Sequence, residues 1–334
     1  MSHPYPSDAP EMDNLMLVAG GSTPALTGAI CRHLNLAPGR LTVDTFADGE
    51  AQVEFRDNIR GHDLYIVQSI SPPASASLME LALIADAARR SSAESITAVA
   101  PYLGYSRQDR RPGGGRTPIS ARVVADILSA VGVERLVTID LHAEQIQGFY
   151  SFPVENIYAS PVLLSDLSRA IHKGGRGKDG KAPAVLVSPD IGGVARARAL
   201  ATQINADLAI IDKRRPKANV AEVMNTIGDV EGRQCFLIDD IADTAGTLCG
   251  AARALLDAGA SSVAAYCSHP LLSGKALANI EESPLLELVC TDTVPLSEEA
   301  RKCNKIRVLS VAELLAEAIS RIHGKQSISS LFMD

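Results

Sequence analysis

The chain has 334 residues, 46% apolar and 21% charged, with a formal net charge of -7. That length suffices for two domains with separate cores, and the acidic balance excludes a general nucleic-acid binder, whose phosphate partner demands a basic face. No apolar run approaches the roughly 18 residues of a membrane helix, and Cys31, Cys235, Cys249, Cys267, Cys290 and Cys303 include no C-x-x-C pair, so neither a zinc site nor a disulfide framework is suggested and a reducing cytoplasm is the natural compartment.

Residues 1–13 hold Pro4, Pro6 and Pro10 with three acids and no apolar stretch fit for a signal peptide; they read as a disordered extension. From Leu15 short apolar runs alternate with helical text: L-M-L-V-A-G, a helix from Pro24 to Leu36, then R-L-T-V-D-T-F. That alternation is the mark of an α/β domain. Phe46-Ala47-Asp48-Gly49-Glu50 comes next, and A-Q-V-E-F makes a hairpin-like return strand. An aromatic beside two carboxylates and a glycine suits stacking on a base and bonding its hydroxyl or amino groups; a plain D-G turn between strands has the same letters.

Asp63 to Ser69 is a buried strand, and Leu78 to Ala88 is helical. S-I-T-A-V-A-P-Y then leads into Leu103–Arg116, where four arginines surround three consecutive glycines. A mobile arginine-rich loop over a phosphate site acts as a lid; a solvated linker is the alternative. Thr117-Pro118 reads as the cap and first residue of a helix through Val131. In the strand Arg135 to His142, Asp140 and His142 lie two apart, so both are expected on one side at its carboxyl end. There His142 suits a metal ligand, a general acid or a hydrogen-bonded structural residue. S-F-P-V-E-N closes the first domain.

A helix from Ser160 to His172 precedes the polar, glycine-rich run Lys173–Lys181, which reads as a loop. Ala184 to Asp190 is a buried strand ending in a carboxylate, a second metal candidate, before Gly192-Gly193 and a helix. Asp207 to Asp212 is a strand that opens on the cationic patch Lys213-Arg214-Arg215-Pro216. Positive charge near acidic strand ends is what polyphosphate chemistry requires, although a solvated basic turn has the same composition. Further strands follow at 261–270 and 287–293, and a last helix runs near Val311 to Ile322.

The most informative stretch is Cys235 to Thr247, C-F-L-I-D-D-I-A-D-T-A-G-T. Four apolar residues read as a buried strand, and a paired carboxylate, a loop of small residues and a helix from Leu248 to Ala258 follow. Such a loop lies at the carboxyl end of its strand, where open parallel sheets bind ligands. Backbone N–H groups of Thr244, Ala245, Gly246 and Thr247, with two hydroxyls and the positive helix end, suit a phosphate. Asp239 and Asp240 suit ribose hydroxyls or the water shell of a metal. An ordinary βα turn with an acidic cap, or a phosphoacceptor receiver site, is also compatible. No G-x-x-x-x-G-K-[ST] is present at this loop, so a P-loop is not the explanation.

Together these segments resemble ribose-phosphate pyrophosphokinase from about Leu15 to Phe332. The motifs are F-A-D-G-E, P-Y-L-G-Y-S-R-Q-D-R-R, T-I-D-L-H-A-E-Q-I-Q-G-F, V-S-P-D-I-G-G-V-A-R-A-R-A, I-I-D-K-R-R-P-K-A-N-V, D-V-E-G-R, D-D-I-A-D-T-A-G-T-L and T-D-T-V-P-L-S, in the family's order. The resemblance implies an α/β chain with two tandem phosphoribosyltransferase-like domains, each a mainly parallel sheet flanked by helices. The boundaries expected are 14–158 for the ATP side with its lid at 107–117, 159–322 for the ribose 5-phosphate side, and a tail at 323–334 packing back on the first domain. It also implies that Asp239, Asp240, Asp243, Thr244, Ala245, Gly246 and Thr247, with Arg215, bind ribose 5-phosphate. Phe46, Asp48, Gly49 and Glu50 would bind adenosine, Arg107 and Gln108 would contact ATP, His142 and Asp190 would hold Mg2+, and Lys213 would stabilise the transition state.

The implied reaction moves the pyrophosphoryl group of ATP to ribose 5-phosphate. The implied assembly is a homo-hexamer of dimers in which the F-A-D-G-E loop reaches a neighbour's ATP, and phosphate with ADP would regulate it. Pro112-Gly113-Gly114-Gly115 departs from the polar stretch usual there, which serves that regulation, and the tail Ser327–Phe332 matches the family's ending. A phosphoribosyltransferase shares the D-D-x-x-D-T-x-G-T loop but has no use for the ATP-type motifs. A catalytically silent synthetase-associated subunit would have lost Lys213, His142 or the lid arginines, all present here.

Overall fold

The computed structural model describes residues 14–111, 115–173, 184–214 and 223–331. The expected extension 1–13, residues 174–181 of the expected loop, Pro112, Gly113 and Gly114 of the lid, and Arg215 lie outside the described residues. The chain forms two compact units, 1–157 with 312–334, and 158–311.

The first unit runs β1 (Leu15–Ala19), α1 (Pro24–His33), β2 (Leu41–Thr45), β3 (Ala51–Phe55), β4 (Asp63–Val67), α2 (Ala74–Arg90), β5 (Ser95–Ala100), α3 (Ser120–Ala130), β6 (Arg135–Ile139) and β7 (Val154–Ile157). Its main sheet has the order β1-β4-β5-β6-β7 and is parallel throughout, with Leu17 beside Tyr65 and Val99 beside Val137; β2 and β3 form a separate antiparallel hairpin. Val18, Leu64, Ile66, Ile96 and Ala98 pack with Leu81 and Ile84 of α2 and Val124 and Leu128 of α3. Their strand neighbours Leu17, Tyr65, Val67 and Val99 are buried as well, so these strands read as unbroken apolar runs rather than alternating ones.

The second unit runs α4 (Ser160–Lys173), β8 (Ala184–Ser188), α5 (Val194–Gln203), β9 (Asp207–Arg214), β10 (Val223–Ile227), β11 (Gln234–Ala242), α6 (Gly246–Asp257), β12 (Ser262–Pro270), α7 (Ala276–Glu282), β13 (Leu288–Thr291), α8 (Glu298–Lys302) and β14 (Ile306–Leu309). The sheet order is β10-β9-β8-β11-β12-β13-β14, parallel except for the β9–β10 pair. Val187, Leu237, Ala265 and Cys290 face Leu248, Ala252 and Leu255 of α6 in one core. On α4, Asp166 accepts from the hydroxyl of Tyr266 at 2.9 Å and from both terminal nitrogens of Arg307 at 2.8 Å. This buried carboxylate is held ionised by that guanidinium and ties α4 to β12 and β14.

Three expectations need correction. The last helix, α9 (Ala312–His323), which the sequence boundary gave to the second domain, belongs to the first unit and lies along α1. Its buried Leu315 and Ile319 need apolar cover, and α1 offers it. The helix after the lid starts at Ser120, not at Thr117-Pro118, and Ile119 is its N-cap without a side-chain bond. Ala121 N donates instead to Gln108 O at 3.3 Å, and Ser120 Oγ to Gln108 Oε1, so the lid-bearing segment satisfies the helix end. Finally, β6 ends at Ile139, and Asp140 adopts a left-handed φ of 42°. Strand alternation therefore stops before His142: Asp140 is buried while His142 is exposed.

Leu237 is fully buried in the second core, whereas Leu286 is 64% exposed. Leu237→Ala should lower unfolding stability by about 2–5 kcal/mol through lost burial and a cavity. Leu286→Ala should change it by no more than about 0.5 kcal/mol in urea titration. Equal midpoints for the two variants would contradict this packing.

Candidate active site

In the second unit β8 and β11 are hydrogen-bonded neighbours although β9 and β10 lie between them in sequence. From β8 the chain continues to one side of the sheet, and from β11 to the other. The order reverses there, and in open parallel sheets the crevice outside the strand ends at such a point is where ligands bind. Sequence-predicted residues converge on it: Asp190 follows β8, and Asp239, Asp240 and the loop to Thr247 close β11.

The carboxylate pair lies within β11 rather than after it. Beyond the last pair with β8, Leu237 with Val187, the strand continues on β12 alone, Asp239 opposite Cys267 and Ile241 opposite His269. Asp240 N donates to Asp239 Oδ1 at 2.9 Å. Burial pushes the Asp239 carboxyl up to about 8, and the charges of Asp240 and Asp190 push the same way. Asp240 is buried, with Arg196 of α5 3.3 Å from its Oδ1. Asp190 accepts from Gly193 N at 3.0 Å, at the start of α5. Three neighbouring acids with one arginine make a site that favours hydroxyl donors or a cation.

The loop after β11 is tied down by its carbonyls. Those of Ala242 and Asp243 accept from Leu272 N at 3.0 Å and Ser273 N at 2.9 Å, and that of Thr244 accepts from Asn279 Nδ2 at 2.9 Å. Ala245, the N-cap of α6, makes no side-chain cap and sits at φ 57°. For a residue with a Cβ the left-handed region costs about 1–2 kcal/mol. The first N–H groups of a helix have no partner within it, so this strained, uncapped end is shaped for an anion.

Lys213 was expected in a loop after its strand; it lies inside β9, paired with Met224 of β10. Arg215 falls outside the described residues, as stated. His142 belongs to the first unit and Asp190 to the second. In the first unit Phe46, Asp48, Gly49 and Glu50 form the turn between β2 and β3. Phe46 N donates to Glu50 O at 2.8 Å, Gly49 takes φ 94°, and Phe46 is 50% exposed. The turn reading holds, and it leaves the Phe46 ring exposed at the hairpin tip. Arg107 and Gln108, at the start of the expected lid, are exposed.

Sequence reasoning missed Arg196 and Asn279. The arginine stood in a quoted motif without a role, and the asparagine in no motif. Thr291 and Thr293 of T-D-T-V-P-L-S are structural: both hydroxyls donate to Ser268 O, at 2.6 and 2.8 Å, and Thr293 Oγ1 lies 2.9 Å from His269 Nδ1.

The raised Asp239 carboxyl fixes a sign. An unfolded aspartate ionises near pH 3.9. Asp239 therefore contributes stability that is fully present below about that pH and is lost as pH rises through about 8. In EDTA-treated protein, Asp239→Asn should gain on wild type in melting temperature between pH 5 and pH 9, by roughly 2–4 °C per kcal/mol relieved. A difference that stays constant with pH would show the carboxylate to be ordinary.

Residues 15–132 match the sequence model of the N-terminal domain of ribose phosphate pyrophosphokinase, and 201–333 that of the phosphoribosyl synthetase-associated domain. The ribose-phosphate pyrophosphokinase of Marinomonas sp. is 53% identical over 322 residues, 96% of this chain and 99% of that one. That of Bordetella pertussis is 54% identical over 319 residues, 96% of this chain and 100% of its own. The crystal structure of phosphoribosylpyrophosphate synthetase from Mycobacterium smegmatis superposes with a TM-score of 0.86 at 37% identity, covering 93% of this chain and 99% of that one. These full-length relatives do not favour the transferase or silent-subunit alternatives. With the acids and the helix end gathered at its switch point, the chain belongs to the ribose-phosphate pyrophosphokinase family.

Proposed function

We infer that the acids and helix end at the switch point of the second unit hold ribose 5-phosphate, and that Lys213 and the exposed turns of the first unit serve ATP. The chain is a transferase of nucleotide biosynthesis, which moves the pyrophosphoryl group of ATP to the C1 hydroxyl of ribose 5-phosphate to give phosphoribosyl pyrophosphate and AMP. The observation that carries the sugar assignment is the uncapped terminus of α6 beside Asp239 and Asp240. The phosphate lies on the N–H groups from Thr244 to Thr247, next to Asp243, and the family resemblance adds Arg215 to its ligands. The ring hydroxyls donate to Asp239 and Asp240, which binding of a hydroxyl donor keeps ionised.

The C1 oxygen attacks the β phosphorus, the bond from that phosphorus to the α-phosphate oxygen breaks, AMP leaves with the electron pair, and the hydroxyl proton is released. Little covalent work remains for the protein: alignment and charge neutralisation carry the rate. Lys213, with the lid arginines, meets the charge that develops on the transferred group, and Arg107 and Gln108 hold the nucleotide whose base stacks on Phe46 and bonds Asp48 and Glu50. Ser120 Oγ fixes one end of the Gln108 amide.

By the family resemblance, carboxylate oxygen from Asp190 and imidazole nitrogen from His142 would hold Mg2+. Among the described residues no three His, Cys, Asp or Glu side chains form a metal cage of their own. That suits an ion held by one or two protein ligands and the substrate's phosphates. When bound, Mg2+ neutralises charge on the phosphate oxygens.

The half-exposed Phe46 turn supports the homo-hexamer of dimers, because a stacking residue at a hairpin tip can serve a neighbouring subunit's ATP. Regulation by phosphate and ADP would rest on the tail Ser327–Phe332, because Pro112–Gly115 replaces the polar stretch that usually serves it. The six free cysteines agree with a cytoplasmic site, and among the described residues no helix is long and apolar enough to cross a membrane.

Protein mixed with ATP, magnesium and ribose 5-phosphate should release AMP, and none without the sugar. Lys213→Ala should bind ribose 5-phosphate as wild type does and lose about 10²- to 10³-fold in turnover. An unchanged rate would remove Lys213 from the mechanism.

A further inference from the structure

Arg107 and Gln108 are exposed, so they must take their positions from what anchors the segment around them. Two anchors come from α2 and α3. Tyr105, at φ 65°, has its hydroxyl 2.8 Å from Ser75 Oγ, and Gln108 is bonded through its carbonyl by Ala121 N and through its amide by Ser120 Oγ. A third comes from another direction. Gln145 Nε2 donates to Asp109 Oδ2 at 2.5 Å, across 36 residues of chain. Gln145 sits in the 3-10 turn Glu144–Phe149, which opens two residues after His142. That turn is itself fixed, by fully buried Ile146 and by Ile146 N donating to Ala143 O at 3.1 Å.

We propose that Gln145 is a positioning residue for the nucleotide: its hydrogen bond to Asp109 holds the Arg107–Gln108 turn in register with the loop that carries His142. The inference rests on the assignment of these residues to ATP. Its physical basis is the chemistry of the bond. An amide donating to a carboxylate is charge-assisted, shorter and about twice as strong as a neutral pair, which suits a contact that must hold two loops. An N–H donor facing a carboxylate also has a polarity, and polarity can be reversed without changing shape.

Reversal supplies the test. Gln145→Glu keeps the volume and sets two carboxylates face to face. It should raise the KM for ATP and lower kcat/KM for ATP by about 10- to 100-fold, the range found when a supporting partner of an active-site ligand is lost. The KM for ribose 5-phosphate should stay within about twofold, because the sugar assignment involves none of these atoms. Asp109→Asn alone should be mild, its amide oxygen still accepting from Gln145. Adding Asp109→Asn to Gln145→Glu restores a donor and a carboxylate with their places exchanged, and should return kcat/KM for ATP to within about threefold of wild type, as coupled neighbours do. Should Gln145→Glu fail to fold, Gln145→Met, which removes the donor without adding charge, reads the same KM for ATP.

A folded Gln145→Glu with wild-type kinetics, a double variant as impaired as the single, or KM values that rise alike for both substrates would overturn the proposal. These failures are distinguishable from failure of the functional assignment, in which wild-type protein itself releases no AMP from ATP and ribose 5-phosphate.

Discussion

The reversal of strand order between β8 and β11 is the constraint from which the second unit's chemistry follows. Because β9 and β10 build outward on one side and β12 to β14 on the other, the connections after β8 and β11 leave in opposite directions and open a crevice between them. β8 stops at Ser188 while β11 runs on to Ala242, so the extra residues, Asp239 and Asp240 among them, are supported by β12 and bare toward β8. A strand held on one side presents functional side chains on a rigid backbone, which a loop cannot do.

That arrangement is a thermodynamic compromise. Burying Asp239 between two other carboxylates costs stability, and Ala245 in the left-handed region costs more. Neither feature improves packing: an asparagine at 239 and a glycine at 245 would both be easier to fold. Each makes sense when a ligand adds contacts there, a hydroxyl proton for Asp239 and an anion for the helix end. Strain and a buried acid pair at one point of an otherwise apolar core, where Leu237, Leu248 and Ala265 are buried, are therefore evidence of function rather than poor design.

Much of this was legible in the letters. C-F-L-I-D-D-I-A-D-T-A-G-T announced strand, acid pair, loop and helix, and the apolar runs announced both parallel sheets. What stayed hidden depended on neighbours the local text does not mention. Nothing in Asp239–Ala242 looks like strand; pairing with Cys267 and His269 makes it one. Asp140 was read with His142 by strand alternation, and a single left-handed residue ended that register. The place of α9 on the first unit is set by α1, nearly 280 residues away in the chain. Asn279 steadies the loop after β11 through Thr244 O, yet an isolated asparagine in a short helix carries no signal. Propensity and periodicity report on a residue's own segment, whereas these cases turn on tertiary partners.

The two units hold their functional residues by different means. In the second, the acids stand on a strand and the N–H groups proposed for the phosphate on the first turn of a helix, and the loop's carbonyls are tied to 272–279. In the first, the residues assigned to the nucleotide are exposed turns: a hairpin tip at Phe46 to Glu50, and a segment at Arg107 to Gln108 anchored by hydrogen bonds to α2, α3 and the turn after His142. A small sugar phosphate presents the same few groups each time and suits a rigid cradle. A triphosphate must be admitted, covered and released as AMP, so its contacts belong on elements that open. An exposed turn needs a fixed base if its arginine is to stand in one place. The hydrogen bonds around Tyr105, Gln108 and Asp109 provide that base.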